Sequence, residues 1–180
     1  MSTFQYDQSR RSELKSLVDS LTFHPAFVYD KHMNVVESNQ LAREVAAGFS
    51  AGSNLVRTAF FSAAAHASPE DLAIGRAQLV ALLRESLLRN AEDGTYLDLI
   101  GELVARSTSF STEWAKEPSP SMSGRLEFNH PAVGVYSLVF HLFTIGGSAD
   151  DTLVIWSPAD DSGRVALESL GRLNSHLDSN

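Results

Sequence analysis

The chain has 180 residues, of which 43% are apolar, with no cysteine and a formal net charge of −8. That supports one domain with a real core and excludes a disordered chain, disulfides, thiolate chemistry and cysteine-ligated zinc. The acidic balance, with basic residues scattered apart from Arg10-Arg11, argues against nucleic-acid binding by these residues alone, though an acidic module fused to or paired with a basic reader fits.

The N-terminal "MSTFQYDQSRRSELK" is polar and has no apolar core of a signal peptide, so residues 1–13 are expected to be a polar tail or linker. In "SELKSLVDSL", Leu14, Leu17, Val18 and Leu21 fall at helical spacing and predict a short amphipathic helix over 12–21, stopped before Pro25. "AFVY" and "NVVES", flanking the polar turn "DKHM", predict a hairpin. Asn39 is the expected N-cap of a helix "QLAREVAAG" that Gly48 would stop. "GFSAGSN" reads as a flexible linker, and Asn54 as the cap of a short helix "LVRTAFF".

Ser68-Pro69-Glu70-Asp71 predicts a strong helix start, followed by Leu72, Leu79, Leu82, Leu83 and Leu87 on a long helix that "EDG" at 92–94 breaks. Asp93 or Thr95 would cap the next helix, "YLDLIGELVARS", and Ser107 or Ser109 a last short one, "FSTEWAK". After the loop "EPSPSMSG", the stretches "RLEFN", "VYSLVFHLFTI" and "TLVIWSP" are strand-like. The second of them is apolar on both faces. It predicts either a central strand covered on both sides or a partly covered strand with a partner surface. It is also the longest apolar run, broken by Ser137 and His141, so no stretch of about 18 apolar residues crosses a membrane. "DSGRVALESLGRL" closes the chain as a helix. This order predicts an α+β fold with a PAS-like outline: a five-stranded antiparallel sheet, two strands early and three late, with a helical block on one face. The domain is expected over 14–173, with 174–180 as a tail.

Chemical candidates are few. "GFSAG" at 48–52 spells the nucleophile elbow of a hydrolase, but an elbow needs a strand before Ser50 and a helix after it. Here a helix precedes it and a loop follows, so the match reads as accidental. His24, His32, His66, His130, His141 and His176 show no metal-ligand spacing, and the paired acids Asp150-Asp151 and Asp160-Asp161 fall in turns. Catalysis, a cofactor and a metal site are therefore not expected. The aromatic residues are more telling. Phe27, Tyr29, Phe60, Phe61, Phe110, Trp114, Phe128, Tyr136, Phe140, Phe143 and Trp156, with Leu138, are spread over elements that the outline brings together. Each alone is a core residue. As a set they could line an apolar cavity between sheet and helices. Arg57, among apolar residues in "NLVRTAFF", either pairs with an anionic head group of a ligand or forms a surface salt bridge; the sequence leaves both open.

Several stretches in order, "SLVDSLTFHPAFVYDKHMNVVESNQLA", "NLVRTAFF", "ELVARSTSFSTEWA", "FNHPAVGVYSLVFHLF" and "LVIWSPADDSGRVALESL", resemble the ligand-binding domain of MmyB-like transcription regulators from about Leu14 to Leu170. Asn39, Asn54, Arg57, Arg106, Trp114, His130, Pro131 and Gly134 match the family's recurrent positions. The resemblance departs at "VES" before Asn39, where a tryptophan is usual, at Glu127 and Asn129, where the family is basic, and at "KEPSP", which replaces "HDV".

The resemblance implies a PAS-like fold binding a small lipidic molecule such as a fatty acid, in a cytoplasmic bacterial regulator whose XRE-type helix-turn-helix reads DNA. Thirteen residues before Leu14 are too few for that motif, so the chain is expected to be a sensor domain cut from a regulator or a stand-alone relative. The function expected is a non-enzymatic ligand sensor, with a homodimer among the expected partners. The alternative is a ligand-free dimerisation module with a filled core and the outer face of "VYSLVFHLF" as its contact. A Ser50 hydrolase is the third reading.

Overall fold

A computed structural model of the chain describes residues 3–62, 69–146 and 151–175. Ser68, His66, His176 and Asp150 of the sequence expectations lie outside the described residues.

Five strands form one antiparallel sheet in the order β2-β1-β5-β4-β3. They are β1 (Ala26–Tyr29), β2 (Val35–Ser38), β3 (Ser123–His130), β4 (Gly134–Thr144) and β5 (Thr152–Pro158). The early hairpin joins the late strands where β1 pairs with β5, Phe27 opposite Val154 and Tyr29 opposite Thr152. The PAS-like α+β outline is thus present, with early and late strands closed into a single sheet.

Strand β4 is second from the edge, and β5 is the central strand. Alternation along β4 explains this: Tyr136, Leu138, Phe140 and Leu142 point inward and are buried, while Val135 and Phe143 on the other face are about half exposed. Of the two readings of this strand, the partly covered one is the observed one.

The helical block α2 (Gln40–Val45), α3 (Leu55–Phe61), α4 (Pro69–Arg89), α5 (Thr95–Arg106), α6 (Thr108–Ala115) and α7 (Asp161–Ser175) shares the larger core cluster with the inward face of the sheet. One helix departs from this one-sided arrangement. α1 (Thr3–Ser20) buries Leu14 and Val18 against Ala26, Val28 and Leu153, the opposite-facing residues of β1 and β5. It starts nine residues earlier than its apolar stripe predicts, and Leu17 is left 42% exposed. Arg10 and Arg11, in the stretch expected as a tail or linker, pair with Asp151 and Glu37 at 3.0 Å each.

Asparagine caps set the entries of two short helices. Asn39 Oδ1 accepts from Ala42 N at the start of α2, and its Nδ2 donates to Leu21 O and His24 O, which ties the end of α1 to the sheet. Asn54 Oδ1 accepts from Arg57 N at the start of α3, while Nδ2 holds His32 O and Asn34 Oδ1. Ser107, the first of the two serines considered, caps α6 through Phe110 N. Neither Asp93 nor Thr95 is the N-cap of α5. Gly94 is, and Asp93 Oδ1 accepts from Thr95 N one position further on.

Two expectations around residues 46–54 are corrected. α2 ends at Val45 rather than at Gly48, because Ala46 is extended and a 3-10 turn, Ala47–Phe49, follows. The segment expected as a flexible linker is held along the outer edge of β2, where Val35 N donates to Ser53 O and Gly52 N to Val35 O, both 2.8 Å. An edge strand offers unpaired backbone groups, and this segment satisfies those of Val35. Ser50 follows the 3-10 turn, with no strand before it.

Candidate functional site

Between the sheet and the helical block lies a cavity of about 290 Å³. Its floor comes from four of the five strands: Phe27 and Tyr29 on β1, Val154 and Trp156 on β5, Phe140 and Leu142 on β4, Leu126 and Phe128 on β3. The roof is Ala46–Phe49, Leu55, Thr58 and Ala59 of α3, and the stripe Leu72, Gly75, Arg76, Leu79 and Leu82 of α4. Those α4 positions recur at helical spacing, so one face of the longest helix covers the hollow. Gly75 sits mid-stripe without a side chain, which leaves room that a larger residue would take.

The rings of the floor are contiguous with Phe49 of the roof. Phe49 stacks on Phe27 and on Trp156, with centroids 4.7 and 5.7 Å apart. Phe128 and Phe140 meet Trp156 edge-on at 5.3 and 5.6 Å. Offset and edge-on pairs are the favourable aromatic geometries, so the floor holds its shape. Burial leaves its mark on two phenols. Desolvation pushes Tyr29 up to about 12, against a smaller lowering by its hydrogen bond with the Thr152 side chain. It pushes Tyr136 up to about 12 as well. The Tyr136 hydroxyl and the Trp156 indole N–H find no hydrogen-bond partner among the described residues.

The residues singled out by sequence divide in two. Phe27, Tyr29, Phe128, Phe140 and Trp156 line the cavity. Tyr136 and Leu138 are buried on the same sheet face beyond it, Tyr136 stacked on Phe128 at 5.8 Å. Phe60, Phe110 and Trp114 form a second ring cluster inside the helical block, with Phe110 between the other two at 5.2 and 5.5 Å. Arg84 lies 4.6 Å over Trp114, and Arg106 lies 4.4 Å over Phe61. Arg57 is outside the lining. It pairs with Glu102 at 2.8 Å on the surface, and Arg106 shares that carboxylate at 2.7 Å. Led by the Arg57 hydrogen bond, these partners hold the Glu102 carboxyl below its usual range.

Phe49 and Arg76 are among the lining residues that sequence reasoning missed. Phe49 falls in a stretch that reads as a Gly/Ser linker, and Arg76 stands among leucines that alone mark the helix in sequence. The signal for Arg76 was its spacing from Leu72 and Leu79, which puts it on the apolar stripe. Thr58, Ser62, Asp71 and Gln78 supply the other polar groups of the lining. All are on the helical side, whereas the sheet side supplies mostly apolar side chains.

The described histidines are engaged separately. His24 Nδ1 meets Trp156 O, His32 Nε2 meets Asp93 Oδ2, His130 Nδ1 accepts from Ala132 N, and His141 Nε2 meets Ser157 Oγ. Among the described residues no three His, Asp or Glu side chains converge on a point that could hold a metal ion. No described helix is long and apolar enough to cross a membrane.

A family model, the MmyB-like transcription regulator ligand binding domain, matches residues 11–170. No curated protein matches the chain. Solved structures with a similar outline include the PAS domain of the Cronobacter turicensis RpfR quorum-sensing receptor in complex with C12:0. It is 14% identical with a TM-score of 0.40, over 76% of this chain and 94% of that one. The same domain in complex with BDSF gives 14% and 0.39 over the same shares. The PAS domain of an HTR-like protein from Haloarcula marismortui is 12% identical, TM-score 0.37, over 84% of this chain and 98% of that one.

Proposed function

Because this chain belongs to the family of MmyB-like transcription regulator ligand-binding domains, we propose that it is the sensing domain of a bacterial transcription regulator and binds a fatty-acid-like molecule in the cavity between sheet and helices. The observation that carries this reading is the cavity of about 290 Å³ itself, floored by rings and with its charged side chains on the helical side. That is the make-up of a small-molecule site. A bound ligand would act by favouring one of two arrangements of the helical roof over the sheet, by no more than its difference in affinity for them. DNA would be read by a helix-turn-helix of the regulator, in the cytoplasm, and not by these acidic residues.

Native mass spectrometry of the purified chain, with lipid analysis of an organic extract, tests the reading. A co-purifying amphiphile, or a rise in melting temperature with straight-chain acids, is expected. No retained molecule and no shift with any acid of such a series would overturn it.

The second reading, a ligand-free dimerisation module, draws on one observation: Val135 and Phe143 are 56% and 51% exposed on the outer face of β4. Sedimentation of the chain decides. A dimer dispersed by Phe143→Lys, in a protein that binds no acid, favours the module. A monomer that binds acid favours the sensor.

A further inference from the structure

Arg76 is the cation of the cavity lining, and it has no counter-ion among the described residues. Of the described arginines, Arg10, Arg11, Arg57, Arg84, Arg89, Arg106, Arg125, Arg164 and Arg172 each pair with a carboxylate. Arg43 and Arg76 form no ion pair among the described residues. Arg43 is exposed, where water solvates it. Arg76 is half-buried against the hollow. A guanidinium drawn out of water without an anion carries an uncompensated desolvation cost, which an anionic ligand offsets.

The remaining contacts of Arg76 fix how it can bind. Its Nε donates to Ala59 O at 2.9 Å, and its guanidinium carbon lies 5.1 Å over the Phe60 ring. Nε is therefore occupied and the guanidinium plane is held. The Nη1 and Nη2 groups are left as a two-pronged donor, the geometry that a carboxylate accepts. Two other polar groups of the lining are already engaged. Gln78 exchanges hydrogen bonds with the Ser121 backbone at 2.6 and 2.9 Å, and Asp71 Oδ1 accepts from Glu127 N. The Asp71 carboxylate also puts a negative charge in the same lining, which disfavours a doubly charged head such as a phosphate monoester.

We infer that Arg76 is the specificity-determining residue of this cavity and that it selects a singly charged carboxylate head whose apolar tail lies over Phe128 and Trp156. The inference rests on the sensor reading above and adds the head-group chemistry and the residue that reads it. Alcohols and esters of the same chain length fill the same apolar space but give Arg76 no charge to pair with.

The test is a head-group series on the purified chain, with dodecanoate, dodecan-1-ol and methyl dodecanoate followed by calorimetric titration. Dodecanoate is expected to bind at least ~10-fold more tightly than the alcohol or ester, the size of one charge-assisted pair. In Arg76→Gln that preference should vanish. In Arg76→Lys, which keeps the charge but loses the fork, it should shrink and not disappear. Equal binding of the three ligands by the wild-type protein overturns the inference and leaves the sensor reading standing. So does a preference for acid that survives in Arg76→Gln. Binding of none of the three overturns both. The wild-type series alone decides the head-group class if Arg76→Gln does not fold.

Discussion

Phe49 stacks on Trp156 with ring centroids 5.7 Å apart and planes 24° from parallel. The pair joins the 3-10 turn after α2 to the central strand, so the roof and the floor of the cavity meet there. Trp156 lines the cavity and Trp114 does not. A Trp114→Phe variant therefore leaves one indole as a reporter of the hollow. Its emission should shift when dodecanoate is added, while the mirror variant Trp156→Phe, reporting from the helical block, should stay unchanged. Truncation by Phe49→Ala should cost about 2–3 kcal/mol in urea unfolding, less than the ~3–5 kcal/mol of a fully buried phenylalanine, because Phe49 is partly exposed. An unresponsive Trp156 at saturating acid would count against the site.

Gly75 offers a way to close the cavity without damaging the fold. A Cβ at this position would lie 3.6 Å from Leu126 Cδ1, an ordinary contact, and a longer side chain would extend into the hollow. Leucine is also about 0.8–1 kcal/mol better than glycine inside a helix. Gly75→Leu should thus be as stable as the wild type or more so, yet lose its response to acids. At a ligand concentration 100 times Kd, the wild type should gain about 2.7 kcal/mol, roughly 5–11 °C in melting temperature for a chain of this size. The variant should show none of that shift. A full shift in the variant would place the ligand elsewhere.

Asp93 ties the turn between β1 and β2 to the loop before α5. Its Oδ2 lies 2.7 Å from Lys31 Nζ and 2.8 Å from His32 Nε2. The Lys31 contact, then the hydrogen bonds from Thr95 and His32, hold the Asp93 carboxyl far below its ordinary value near 3.8. A depressed folded-state pKa stabilises the protein above the unfolded value, and the contribution is lost as pH falls through and below it. The urea midpoint should therefore drop between about pH 5 and pH 2. Asp93→Asn should be less stable at neutral pH and show a shallower acid decline. An identical decline in the variant would assign the acid sensitivity to other carboxylates.

Much of this architecture is written in local signals, and what escaped depends on distant partners. Asn39, Asn54 and Ser107 announce helix starts because a short polar side chain before an apolar run can do little else there. The five strands follow from their β-branched and aromatic runs, and their union into one sheet from their order. Phe49 was illegible because its position depends on Ser53 and Gly52 pairing with Val35 along the edge of β2, a contact no short window of sequence contains. The rings of Phe60, Phe110 and Trp114 look in sequence just like those of Phe27 and Phe128. Only the stacking of α3, α4 and α6 separates a ring inside the helical block from a ring that lines the cavity. Arg57 and Arg76 differ in the same way. Arg57 has Glu102 within reach across a helix pair, and Arg76 has no carboxylate partner among the described residues.

Gly163 tests how the last helix is seated on the sheet. It lies in the first turn of α7, where Asp160 Oδ1 accepts from its backbone N–H at 3.1 Å. A Cβ built there would run into the carbonyl oxygen of Ser137 on β4 and come within 3.2 Å of Pro158 Cα. Both obstacles are backbone, in a place where Ala159 N already donates to Ser137 O at 3.1 Å, so neither can yield cheaply. Gly163→Ala should therefore cost about 1–3 kcal/mol, the range of an overpacked core, even though alanine is the better helix former by about 1 kcal/mol. Gly171→Ala is the matched control, because a Cβ there meets nothing within 4 Å, and it should be neutral or stabilising. Urea unfolding of the two variants side by side separates helix propensity from the contact. Equal stabilities would mean that α7 can lift off β4 without loss.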